Sequence, residues 1–150
     1  MKRGICLKKI FIYMLAFITT IIIIITINIS NNNSIKKNIR EFNLQYEIYK
    51  DRILQGTDVA TIINKAIDNN EKNKITKDSK GFYIENDETS VTVSIIFFDG
   101  EEKTQYQMET IEKVGTSKFI SNFNLIEFKV LEIKYNSLGR VNNLILEQIK

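Results

Sequence analysis

The strongest pattern in the chain is a run of apolar residues near its start. Ile10 to Ile29 reads IFIYMLAFITTIIIIITINI, 20 residues without a charge. A helix needs roughly 20 residues to cross a hydrocarbon core about 30 Å thick. Ten Ile, two Phe and one Leu fill the run, and their summed insertion free energy is on the order of −4 to −8 kcal/mol. Thr19, Thr20, Thr26 and Asn28 subtract from that. Five consecutive Ile would favour a strand in water. Lipid instead forces the backbone to satisfy its own hydrogen bonds, so the run predicts a helix.

Beyond the run, Asn31, Asn32, Asn33 and Ser34 predict a short polar hinge, with Ser34 able to cap a following helix to about residue 53. Ile35, Ile39, Phe42, Tyr46, Tyr49 and Ile53 then recur at spacings of four and three, a heptad-like seam. The stripe can pack on its own domain or pair with a second copy or a partner helix. It is too short to define a coiled coil. Gly56-Thr57-Asp58 opens a second helix, about Asp58 to Asn70, with Thr57 as cap and Val59, Ile62, Ile63, Ala66 and Ile67 as its buried face. An anion could bind at that start, although capping is the commoner use of such a triplet.

The remainder alternates with the period of a sheet. Strands are expected at Phe82–Glu85, Val91–Phe98, Thr104–Met108, Ile126–Tyr135 and Val141–Ile149. Asp99-Gly100 marks a tight turn. A helical segment over 109–123 is divided at Gly115, with Thr116 or Ser117 capping its second part. The apolar phase slips between Val130 and Leu131, which a bulge would explain. Gly139 suits the left-handed position of the last reversal. The order implies an α+β fold: one N-terminal transmembrane helix, two helices, then an antiparallel sheet of about five strands interrupted by a short helical segment. A sheet with helices on one face only would leave Ile96 and Phe98 on the other. Such a patch could mark a contact surface, and burial against the helices or the membrane-proximal segment is an equally good expectation.

Charge sets the orientation. Lys2, Arg3, Lys8 and Lys9 precede the run, and no acidic residue lies before residue 31. The organisation read from this is a basic cytoplasmic flank over 1–9, a transmembrane helix over 10–29 and an extracytoplasmic domain over 30–150. A cleaved signal peptide fits less well, because the run is long and Asn28-Ile29-Ser30-Asn31 is a poor cleavage site. From residue 31 onward, 17 basic residues face 18 acidic ones, a net charge of −1. No positive field remains to hold nucleic acid. The expected partners are the lipid bilayer and a protein, or a second copy of the chain.

Candidate chemistry is sparse. The chain has no His and one cysteine, Cys6, on the membrane-side flank. That removes His-based triads, His-bearing zinc sites and disulfides within the chain. No phosphate-binding or dinucleotide fingerprint occurs. Glu85, Asp87 and Glu88 cluster in one turn and Asp99, Glu101 and Glu102 in another, without the spacing of a calcium loop. Glu109, Glu127 and Glu132 have no sequence feature that sets them apart as catalytic carboxylates. No catalytic, cofactor or metal residue is therefore assigned, and the reading is not an enzyme.

Two resemblances follow from these residues. The segments GTDVATIINKAIDNNEKN from Gly56, Met108-Glu109-Thr110-Ile111, Asn122-Phe123, Phe128-Lys129 and the closing GRVNNLILEQI resemble a group of small membrane-anchored proteins of clostridia-like Gram-positive bacteria. That group implies an anchored extracytoplasmic module without an assigned activity. The architecture also resembles type IV pilins and pseudopilins, and Lys2-Arg3-Gly4-Ile5 looks like a prepilin cleavage site. Lys9 departs from that family, which usually has Glu there. The resulting reading is a non-catalytic protein-interaction or envelope-structural module. A pilin-like subunit is the first alternative, and a small enzyme or sensor domain the second.

Overall fold

The computed structural model describes residues 3–149, with side chains from residue 11 onward. Lys2 and the side chains of Arg3, Cys6, Lys8 and Lys9 lie outside the described residues, and with them the expectations placed on the basic flank. The chain forms two compact units, Met1–Ile39 and Arg40–Lys150.

Helix α1 runs without a break from Arg3 to Glu47. The polar hinge expected at Asn31–Asn33 is absent, and Ser34 lies inside the helix rather than capping it. Asn is a poor helix former, costing at most about 0.7 kcal/mol per residue relative to Ala. A break would instead leave up to four N–H and four C=O groups without intrahelical partners. Continuity is the better solution. Within the apolar stretch, the Thr20 and Thr26 hydroxyls donate to the Ala16 and Ile22 carbonyls at 2.8 Å, and the Asn28 amide donates to the Ile24 carbonyl at 2.9 Å. These bonds occupy polar groups that would otherwise face an apolar surround.

The second unit is α+β, as expected. Strand β1 (Leu54–Gln55) leads into α2 (Gly56–Lys72). Strands β2 (Thr92–Asp99) and β3 (Glu102–Gln107) form a hairpin. Helices α3 (Met108–Val114) and α4 (Thr116–Phe123) connect it to β4 (Glu127–Tyr135) and β5 (Val141–Gln148). The five strands lie in the order β1-β4-β5-β2-β3. All pairings are antiparallel except β2 with β5, so the sheet is mixed rather than purely antiparallel. Strand β5 turns back on β4 and is inserted beside β2, and its direction follows from the turn. The phase slip is a register shift between Val130 and Glu132, and Gly139 has φ +77°.

Three local expectations change. Phe82–Glu85 forms only an isolated bridge, Tyr83 with Lys77. Asp78 closes that loop by accepting the Lys80 and Phe82 N–H groups at 2.9 Å each. The fifth strand is instead the two-residue β1. Helix α2 is capped at Gln55 rather than Thr57, and the Asp58 carboxylate accepts the Gln55 N–H at 3.0 Å. Helix α4 likewise starts after Gly115, with no side-chain cap from Thr116 or Ser117.

One face of the sheet carries the core. Val93 and Ile95 pair with Leu144 and Leu146, all four fully buried beneath α2 residues Val59, Ile62, Ile63 and Ala66. Buried amides join these parts. Asn70 accepts the Val91 N–H and donates to the Val91 carbonyl, both at 2.8 Å. Asn43 does the same across Val141 N–H (2.9 Å) and the Gly139 carbonyl (2.8 Å). Gly56 lets α2 approach α4, since a Cβ there would fall on the Phe123 carbonyl oxygen.

Two stability changes follow, each read from urea unfolding of the full chain. Gly56→Ala should lose about 1–3 kcal/mol by overpacking. Asn70→Ala should lose about 2–4 kcal/mol, because both backbone groups of Val91 are left buried and unpaired.

Candidate functional site

The seam residues separate into three environments. Tyr46 is fully buried and Tyr49 nearly so, with Phe42 packed against the same core. The Arg140 guanidinium lies 3.5 Å from the centre of the Phe42 ring. It donates to the Thr89 carbonyl at 2.7 Å and to Asn69 Oδ1 at 2.8 Å. Burial pushes the Tyr46 phenol well above its usual range. These three aromatics thus serve their own unit. Ile35 and Ile53 are exposed and Ile39 is half-buried. The helix ends at Glu47, so Tyr49 and Ile53 lie beyond it.

Ile96 and Phe98 sit on the sheet face opposite the core, in register with Glu147 and Lys103. Both residues are half-buried rather than exposed. Long polar side chains lie across them. Lys103 Nζ stands 5.0 Å from the Phe98 ring centre and 3.0 Å from Glu147 Oε1. Lys129 reaches Glu147 Oε2 at 3.2 Å. The hydrogen bond from Lys103, joined by that from Lys129, holds the Glu147 carboxyl below the usual glutamate range. Sequence alternation placed the apolar pair. The lysines that shield it come from two strands far apart in the chain, so their role was not legible.

A concavity lies over the other face, between the β2–β3 hairpin and α3–α4, with a volume of about 410 Å³. Phe97, Tyr106, Phe119 and Phe123 form its aromatic wall. Phe97 is the hub, with ring centres 5.6 Å from Tyr106, 6.4 Å from Phe119 and 4.9 Å from Phe123. Asp99 stands at one end, and Thr104, Thr110, Asn122 and Gln148 add neutral polar groups. No Lys or Arg lines it. No sequence motif marked this cleft, because its aromatic wall is gathered from three separate elements, β2, β3 and α4.

Two other carboxylates, Glu109 and Asp87, have structural roles. Glu109 is nearly fully buried and accepts the Tyr83 N–H at 3.0 Å. Asp87 accepts the Ser137 hydroxyl at 2.6 Å. Among the described residues, no three acidic or thiol groups converge as metal ligands would.

The fold and its cleft define a small α+β unit joined in sequence to a long apolar helix. No protein-family model, curated protein or solved structure matches the chain.

Glu147 gives a signed pH dependence. A lowered folded pKa means that its contribution is present above the unfolded value and lost as pH falls through the folded one. The urea midpoint should therefore fall on acidification below 4.5, the group's ordinary value. In Glu147→Gln, the part of that decline owed to this group should disappear.

Proposed function

We propose that the protein is a single-pass membrane protein whose domain over 30–150 faces the outside of the cytoplasm. There it serves as a non-catalytic protein-contact or envelope-structural module. The observation that carries this reading is the exposure of an entire apolar helical stretch. Every large hydrophobic side chain from Phe11 to Ile29 is exposed, most by half or more. Helix α1 is also, among the described residues, the one helix long and apolar enough to cross a bilayer. Water tolerates contiguous apolar patches of only a few hundred Å². The second unit has its own core and does not need these residues. Lipid is the solvent that suits them. Orientation rests on the four basic residues ahead of the stretch.

A pilin-like subunit is a second reading, favoured by the continuity of α1 through Asn31–Asn33. In that architecture one helix is apolar first and packs on a sheet later, and here Tyr46 on α1 lies in the core of the sheet unit.

Membranes washed with alkaline carbonate should retain the chain, and protease added to intact cells should remove its C-terminal domain. A protected C-terminus would refute the orientation. Replacing Lys2, Arg3, Lys8 and Lys9 with Gln should increase the fraction with a cytoplasmic tail. The mass of the membrane-extracted chain separates the two readings. Full length supports the anchor, and loss of residues 1–4 supports the pilin-like form.

A further inference from the structure

We infer that the cleft between the β2–β3 hairpin and α3–α4 is a binding site for a small organic cation, an alkylammonium or quaternary ammonium group on a compact body. Three observations support it, all within the second unit. The first is size. A volume of about 410 Å³ falls within the roughly 300–1,000 Å³ of small-molecule sites and exceeds what a few ordered waters need.

The second is the wall. Four aromatic rings line the cleft, and Tyr106 remains 41% exposed while Phe119, which also packs on Phe97, is 3% exposed. Tyr106 therefore gives the wall an accessible front, supported by the Phe97 ring that packs on it. Aromatic faces are negative, and they attract a cation that sheds its water more readily than a neutral molecule of the same shape. Quaternary ammonium groups are bound by aromatic walls for this reason.

The third is the balance of charge. Asp99 is the one charged residue lining the cleft, and its carboxylate has no hydrogen bond or ion pair among the described residues. Glu101 and Glu102 follow it at the hairpin tip. Lys103, the adjacent base, is turned to the opposite face of the sheet, where it holds Glu147 and the Phe98 ring. An anion would meet an exposed carboxylate and no cation lining the cleft. A cation would meet its complement. The neutral groups Thr104, Asn122 and Gln148 leave room for a hydroxyl or amide on the rest of the ligand.

The inference does not depend on the membrane assignment, because binding is read at the cleft and orientation at the tail. The test uses the full chain in an uncharged maltoside detergent with labelled isoleucine methyl groups. Ile111 and Ile126 line the cleft and report on it. Choline is titrated against 3,3-dimethylbutan-1-ol, a neutral molecule of the same shape. Choline should shift both methyl signals and bind about tenfold more tightly than the alcohol. Asp99→Asn should weaken choline about threefold or more without changing the alcohol. Tyr106→Leu should reduce the preference for the cation. Val114→Phe, an exposed position on the cleft lining, should block both probes. Equal binding of choline and the alcohol would overturn the inference. So would absence of any shift with choline, or choline binding that is unchanged in both Asp99→Asn and Val114→Phe. The unliganded spectra of each variant verify that the fold is retained.

Discussion

The parallel pairing of β2 with β5 is the contact on which the second unit depends. It sets Val93 beside Leu144 and Ile95 beside Leu146 at the middle of the sheet. Those four side chains form the floor on which the helices rest. Because side chains alternate across a strand, the same register sends Ser94, Ile96, Ile145 and Glu147 to the other face. A slip of one residue would exchange the two sets. It would bury Glu147 under the helices and expose the core.

Polar side chains make this arrangement specific. The asparagines at 43 and 70 each pair with strand backbone as another strand would, one N–H accepted and one carbonyl satisfied. Asn136 accepts the Leu138 and Arg140 N–H groups and donates to the Asp87 and Glu88 carbonyls. Each amide joins segments distant in sequence where the ladder itself has ended. Buried backbone groups must be paired, and a side-chain amide supplies a donor and an acceptor together. The abundance of Asn in the chain thus has a structural use at these positions.

The two units present different surfaces to their surroundings. The first offers an uninterrupted apolar stretch, suited to lipid. The second offers a shielded sheet face and an aromatic cleft. On the sheet face, Lys103 and Lys129 converge on the Glu147 carboxylate, and Lys103 also lies over the Phe98 ring. In the cleft, the aromatic wall is left open and the acid unpaired.

Sequence alone determined the elements whose cause is local. A 20-residue uncharged run predicts a helix because lipid penalises unpaired backbone. Alternation located four of the five strands, the bulge near Leu131 and the patch of Ile96 and Phe98, since each depends on a period of two. Gly115 and Gly139 were legible as punctuation because their backbones have positive φ. Tertiary structure decided what depends on residues far apart. Leu54–Gln55 is too short to carry a period, and it becomes a strand only by pairing with Glu127 and Phe128. The direction of β5 beside β2, the lysines over Glu147 and the aromatic cleft likewise exist only once strands and helices from opposite ends of the unit are packed together.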